Sequence, residues 1–171
     1  MDQFEYKSIN GEIRDPFGNR MYLSSAEVHG HLYKRLLDVY GTGGIAILYQ
    51  MGLDYGSTRV EVLKRNLPSD PDTIVEALIQ FIVSGGWGTM RINKQTSDPF
   101  LISVTVEKSV FAEGILKAIG KQVIPTCLFL NGALVGAFQV LYNKPLVAKE
   151  AICLARGDPH CDFEITEDSQ G

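Results

Sequence analysis

The sequence lacks the marks of several large classes of protein. It has no low-complexity tract, no solenoid-length repeat and no cluster of basic residues, and its formal net charge is −4. Without concentrated positive charge, we expect no surface for direct binding of nucleic acid or of an anionic membrane. The first 25 residues are polar and charged, so no signal peptide is predicted. Cysteine is scarce and odd in number, with three residues, which favours a reducing compartment and predicts a cytoplasmic protein.

Familiar catalytic motifs are missing as well. The chain has no nucleophile elbow, phosphate-binding loop, dinucleotide fingerprint or paired-histidine helix motif. Its glycine cluster at residues 41–44 is more typical of a connection between helices. His29 and His31 lie two positions apart on a predicted helix, so they face different directions. We therefore predict no catalytic residues and favour a protein that is not an enzyme.

What is present indicates one globular domain. The 171 residues are 45% hydrophobic and 21% charged, which is enough apolar surface for a core without covalent support. We predict a single ligand-binding domain over residues 1–171, with an N-terminal extension over 1–23 and a core over 24–166.

Hydrophobic periodicity predicts an α+β fold. Helical spacing predicts helices over residues 24–41, behind a capping box that runs from Ser24 to Glu27, and over 45–65, 70–84, 111–119 and 124–142. Alternating residues predict one hairpin around Ser97-Asp98-Pro99 and a second that pairs residues 147–155 with 161–166. Because helices and strands come in blocks, we expect an antiparallel sheet of two hairpins with helices packed mainly on one face.

One uncharged stretch has the length of a membrane span. Residues 123–142 form a run of 20 residues without a charge, about what a bilayer requires. Pro125, Asn131 and Gln139 within it would be costly for a helix that faces lipid. The favoured interpretation is a helix buried in a protein core or dimer interface, with no membrane span.

The three cysteines and one glutamate form a candidate metal site. Cys153 and Cys161 flank the last predicted turn, Glu150 precedes it, and Cys127 lies near the start of the uncharged helix. Thiolates and carboxylates are zinc ligands. Buried core cysteines and a disulfide between Cys153 and Cys161 remain alternatives.

The spacing of these candidate ligands poses a geometric problem. Glu150 and Cys153 are three residues apart, so a regular strand would direct their side chains to opposite faces. Glu150 must therefore precede the strand or lie at a bulge. Otherwise His160 or Asp162 replaces it as the fourth ligand.

These residues resemble the pattern of the 4-vinyl reductase domain family. The similarity extends over residues 24–166, but its specific positions are Cys127, Glu150-x-x-Cys153 and Cys161-Asp162-Phe163. The resemblance implies a structural zinc held by Cys127, Glu150, Cys153 and Cys161, and a fold that dimerises. It also implies similarity to the aromatic-sensing input domains of bacterial activators and to small subunits of the TRAPP vesicle-tethering complex, which enclose an acyl chain.

The same resemblance implies an apolar pocket. We expect Gly52, Gly56, Gly132 and Gly136 to open space for a small ligand. Five aromatic residues are candidate contacts, although aromatic residues at such spacing also fill cores: Tyr49, Phe81, Trp87, Phe129 and Phe138.

The predicted function is that of a dimeric, zinc-containing sensor or carrier of a hydrophobic or aromatic molecule. One alternative is an enzyme or accessory protein in the reduction of a tetrapyrrole vinyl group. Another is a structural adaptor that binds no ligand.

Overall fold

Four α-helices and two antiparallel sheets make up residues 6–169, the part of the chain that the computed structural model describes. The first sheet has the order β1-β2-β3, with β1 (Lys7–Ile9), β2 (Glu12–Arg14) and β3 (Arg20–Met21). The helices are α1 (Ala26–Asn66), α2 (Pro71–Ser84), α3 (Val110–Ile119) and α4 (Leu128–Tyr142). The second sheet has the order β4-β5-β7-β6, with β4 (Thr89–Ser97), β5 (Phe100–Glu107), β6 (Leu146–Ile152) and β7 (Cys161–Glu167). The predicted α+β class is confirmed.

The large sheet has one buried face. Along β7, Cys161, Phe163 and Ile165 are fully buried, whereas Glu164 and Thr166 between and beyond them are exposed. Phe163 pairs with Val104 of β5 on one side and with Glu150 of β6 on the other, so the buried face continues across neighbouring strands. The two predicted hairpins are therefore joined through β5 and β7, with helices covering one face only.

The N-terminal segment carries strands that the sequence analysis did not predict. β1 to β3 occupy most of the predicted extension at residues 1–23, of which residues 1–5 lie outside the described part, as do residues 170 and 171. Asp15 organises the turn before β3, because its carboxylate accepts hydrogen bonds from the backbone N–H groups of Phe17 at 3.0 Å and Asn19 at 2.9 Å. This small sheet reaches the helices through the same aspartate, as described below.

The first two predicted helices are a single element with a kink. Gly41 has φ 62° and ψ −150° inside α1, and helix continues on both sides of it. The prediction of a break at Gly41 located the kink, but the predicted connector over residues 42–44 is wrong. The capping box is also wrong: Ser25 is the N-cap and its side chain makes no capping hydrogen bond. Glu27 pairs instead with Lys117 of α3 at 3.2 Å.

Two other predicted boundaries extend too far. α4 begins at Leu128 and not at residue 124, because Pro125 precedes it and Ile124 is exposed. β6 ends at Ile152, and Leu154–Arg156 form a short 3₁₀ helix where strand was predicted. The uncharged stretch thus contains a helix of 15 residues, most of them buried. Among the described residues, no helix combines the length and apolarity needed to cross a membrane.

Helices α1 and α4 meet at backbone distance. A Cβ atom added to Gly52 would lie 2.1 Å from the carbonyl oxygen of Phe129, and one added to Gly132 would lie 2.1 Å from that of Tyr49. Gly56 and Gly136 have equally close backbone neighbours across the same interface. The expectation that these glycines open space for a ligand is therefore wrong, because their missing side chains are what allows the two backbones to touch.

We predict that Gly132→Ala destabilises the protein by roughly 1–3 kcal/mol, because the new methyl group forces apart two helices that cannot yield. Gly43→Ala is the matched control, since Gly43 lies in the same long helix with nothing within 4 Å of an added Cβ. Its higher helix propensity should raise the free energy of unfolding by about 0.5–1 kcal/mol. Urea unfolding measures both variants, and equal stabilities would contradict the close-contact interpretation.

Candidate metal centre and aromatic cavity

The four predicted metal ligands come together behind the large sheet. The sulfur atom of Cys127 lies 3.8 Å from that of Cys153 and 3.7 Å from that of Cys161. With Glu150, the four potential ligand atoms lie within 4.8 Å of one another, and all four residues are buried. The grouping predicted from sequence spacing is thus present in the fold.

A bulge solves the spacing problem of Glu150 and Cys153. The pairing register of β6 and β7 shifts between Glu150 and Ile152, so β6 carries one more residue than β7 across this step. Strand β6 then ends, and Cys153 is the residue that precedes the 3₁₀ helix. Glu150 therefore points into the buried face while Cys153 reaches the same cluster from beyond the strand.

The Arg-Gly-Asp-Pro turn holds the cysteine loop in place. Asp158 accepts a hydrogen bond from the backbone N–H of Cys153 at 2.8 Å and pairs with Arg156 at 2.9 Å. The backbone N–H of Leu154 points at the sulfur of Cys161 at 3.4 Å. Such N–H donors favour the thiolate form, so the loop is built for a charged sulfur.

Protonation of the cluster reflects crowding of acidic groups. Burial, with the neighbouring Cys153 thiolate, raises the pKa of Glu150 to about 8. Sulfur hydrogen bonds from Cys127 and Cys161 lower the pKa of Cys153, and the bond to Cys153 raises the pKa of Cys127 above its ordinary value. Four acidic groups so close together cannot all ionise unless a cation joins them.

The donor set fits a tetrahedral metal ion. Metal–sulfur bonds of about 2.3 Å place the corners of a tetrahedron about 3.8 Å apart, which matches the two measured sulfur separations. One carboxylate oxygen of Glu150 accepts from the backbone N–H of Cys127 at 2.9 Å, while the other, Oε1, is buried without a hydrogen-bond partner. A bound cation would satisfy that orphaned oxygen.

The alternatives considered for these residues differ from the structure. All three cysteines are free thiols, so the disulfide between Cys153 and Cys161 is not formed. His160 and Asp162 do not join the cluster. They pair with each other at 3.2 Å, and Asp162 follows Cys161 on a regular strand and so faces the other side of the sheet.

A narrow cavity lies between α1, α2 and α4. Its lining is apolar and aromatic apart from one arginine: Tyr55, Gly56, Arg59, Leu78, Phe81, Ile82, Trp87, Leu130, Ala133 and Leu134. The free space is about 10 Å³, close to the lower limit for one water molecule. A second small void of about 20 Å³ lies beside His29, Phe111 and Cys127.

Three of the five predicted contact residues meet around these voids. Trp87 packs against Phe81 with ring centroids 6.2 Å apart and against Phe129 at 5.8 Å. Phe129 also contacts Tyr55 at 6.0 Å and Phe111 at 5.2 Å, so it stands between the two voids.

The other two predicted contacts lie outside this aromatic group. Phe138 packs on Tyr142 at 6.1 Å, further along α4. Tyr49 contributes the backbone carbonyl that approaches Gly132. Neither residue lines the two voids described above.

The sequence analysis missed a buried ion pair at the cavity. The guanidinium of Arg59 donates to Asp15 at 2.7 Å, and both side chains are almost completely buried. The same guanidinium lies 4.3 Å above the ring of Phe81 and 5.4 Å from that of Tyr55. The signal in the sequence is a charged residue at a helical position between the buried Gly52, Gly56 and Leu63.

Comparison with solved structures places the fold among known domains. The phenol-responsive sensory domain of the transcription activator PoxR, crystallised with phenol, aligns with a TM-score of 0.82 at 19% identity, covering 95% of this chain and 84% of that one. A trafficking protein particle complex subunit 3 from Naegleria fowleri, covalently bound to palmitic acid, aligns with a TM-score of 0.60 at 16% identity, covering 84% and 93%. A vinyl-4-reductase family protein from Methanocaldococcus jannaschii aligns at 0.52 with 20% identity, covering 71% and 68%.

Sequence comparison addresses the family. An uncharacterized protein of Methanocaldococcus jannaschii is 30% identical over 88 residues, 52% of this chain, and the chain spans only 44% of that relative. The model of the 4-vinyl reductase domain matches residues 102–167, a segment that includes all four clustered ligands. The resemblance stated from the sequence is confirmed, and over residues 102–167 the chain is a member of the 4-vinyl reductase domain family.

Proposed function

We propose that this protein binds a small aromatic or other hydrophobic molecule and acts as a sensor or carrier. The observation that carries the proposal is the cavity between α1, α2 and α4, whose walls are aromatic and aliphatic side chains. Small-molecule sites are mostly apolar cavities with few polar groups. The similar PoxR domain responds to phenol, which supports an aromatic ligand here.

The cavity must widen to accept such a ligand. Its free space is about 10 Å³, whereas an engineered cavity that binds benzene holds about 150 Å³. Trp87 is the wall residue best placed to move, because it is half-buried and lies between Gly86 at φ 73° and Gly88 at φ 135°. Glycine on both sides permits backbone rotations that other residues resist.

In this proposal the cluster of Cys127, Glu150, Cys153 and Cys161 holds a structural zinc ion. Four protein ligands leave no open coordination position, so the site would stabilise and not catalyse. It would tie the start of α4 to the loop that follows β6 and to the start of β7. The reducing cytoplasm would keep the three thiols available for the metal.

We also propose that the protein is a homodimer. The outer face of α1 carries exposed apolar side chains at helical spacing, among them Val28, Leu32, Val39, Ile47 and Met51. An exposed stripe of this kind marks a protein interface more often than a solvated surface. A second copy that packs the same face against it would bury the stripe by two-fold symmetry.

The second candidate function is a structural adaptor without a ligand. The specific observation in its favour is that neither void in the aromatic region exceeds about 20 Å³, so the side chains already fill the space. The likeness to a trafficking complex subunit agrees with this alternative at the level of fold. The ligand experiment below separates the two functions.

For the metal, we expect one zinc ion per chain by elemental analysis. Removing the metal should lower the free energy of unfolding by on the order of 10 kcal/mol and expose the hairpin of β6 and β7 to proteolysis. Cys161→Ser should lose the ion. His160→Gln is the matched control and should keep it, because His160 lies beside Cys161 but outside the cluster. Unchanged stability after chelation would contradict a structural zinc.

For the ligand, we expect the native mass spectrum of untagged protein to show a small organic mass that is absent after denaturation. Leu78→Phe fills the cavity and should abolish this mass, whereas Val83→Phe on the exposed side of the same helix should keep it. If wild-type protein carries no such mass and binds no added phenol, the adaptor function is favoured.

For the dimer, we expect Ile47→Lys to yield monomers in analytical ultracentrifugation at micromolar concentration, because it buries a charge in the proposed interface. Val147→Lys introduces the same charge at an exposed valine of β6 and should leave the dimer intact. A wild-type monomer would overturn this part of the proposal.

A further inference from the structure

The one charged residue among those that line the cavity between α1, α2 and α4 has an unused donor. Arg59 reaches Asp15 through Nη1 at 2.7 Å and approaches the hydroxyl of Tyr55 through Nη2 at 3.5 Å. Its third donor group, Nε–H, is buried and has no hydrogen-bond partner. The side chain is only 9% exposed, so bulk water does not satisfy that group. An unpaired buried donor costs free energy, and a ligand atom that accepts from it would recover that cost.

The charge around Arg59 decides which kind of acceptor fits. Asp15 is buried and already neutralises the guanidinium, while the rest of the lining is uncharged. A carboxylate on the ligand would leave one net negative charge in a site with almost no water, which is costly. A neutral oxygen, such as a hydroxyl or carbonyl group, accepts the hydrogen bond without that cost.

The ring contacts decide what carries the oxygen. The guanidinium lies 4.3 Å above the ring of Phe81, and Tyr55 and Trp87 face each other with ring centroids 5.5 Å apart. A flat ring that enters beside Trp87 would continue this stack and bring a substituent toward Arg59.

We propose that Arg59 is the specificity-determining residue of the cavity, and that it selects neutral aromatic molecules bearing an oxygen acceptor over both their hydrocarbon and their carboxylate analogues. This inference rests on the proposed ligand-binding function, and it assigns the polar contact to the Nε–H group of Arg59. Asp15 acts as a positioning residue, because it holds the guanidinium and cancels its charge.

The test compares three probes of similar shape by isothermal titration calorimetry: p-cresol, p-xylene and 4-methylbenzoate. For the wild-type protein we expect p-cresol to bind roughly tenfold or more tightly than p-xylene, as one hydrogen bond to a charged donor allows. Binding of 4-methylbenzoate should be weaker than that of p-cresol. Arg59→Lys keeps a cation for Asp15 but removes the Nε–H group, so the preference for p-cresol should vanish while p-xylene binding is retained.

Each result separates the inference from the function beneath it. If p-xylene binds as well as p-cresol, or 4-methylbenzoate binds best, the role of Arg59 is overturned while the ligand-binding function stands. If no probe binds, both are overturned. A second measurement does not depend on the variant being folded: in ¹⁵N-arginine-labelled wild-type protein, p-cresol should shift the Nε–H resonance of Arg59 downfield. p-Xylene should leave the resonance unshifted, and equal shifts with both probes would overturn the assignment.

Discussion

The close contact between α1 and α4 is the constraint on which the rest of the structure depends. Gly52 and Gly56 on one helix face Gly132 and Gly136 on the other, with backbone atoms where side chains would otherwise stand. This contact fixes Cys127 at the start of α4. It also sets Arg59 on α1 one turn beyond the glycines, beside the cavity. The metal cluster and the cavity are thus two products of a single helix pair.

Buried polar groups mark the same two places. Among the described residues, three buried side-chain atoms have no hydrogen-bond partner: Nε of Arg59, Oδ1 of Asn131 and Oε1 of Glu150. Such atoms are rare in folded proteins because each costs free energy. Glu150 belongs to a cluster whose geometry fits a metal ion, and Arg59 lines the cavity. The fold carries these costs where a metal or a ligand would relieve them.

The metal site was predictable because its chemistry is local and rare. Three cysteines and one glutamate in 35 residues leave few other arrangements, and the spacing of Glu150 and Cys153 indicated the bulge that β6 contains. The α+β class followed from periodicity that changes sharply after Gly86.

The cavity was less predictable because it depends on long-range contacts. Phe81, Trp87 and Phe129 were identified, but Tyr49 and Phe138 carry the same sequence signal and lie elsewhere. Asp15 and Arg59 are 44 positions apart, so no local pattern indicates their ion pair. The glycines were misread for the same reason: a missing side chain permits either a ligand or a backbone to approach, and only the partner helix decides which.

The rigidity of this helix pair determines how the cavity could respond to a ligand. α1 and α4 cannot separate without losing their glycine contacts, and a metal at Cys127 would hold the start of α4 against the sheet. Widening must therefore displace the other walls, which are α2 and Trp87. Arg59 connects the cavity to Asp15 and hence to the N-terminal sheet. Under the proposed function, occupancy of the cavity would be transmitted to α2 and to that sheet, while the half of the domain around the metal cluster stays unchanged.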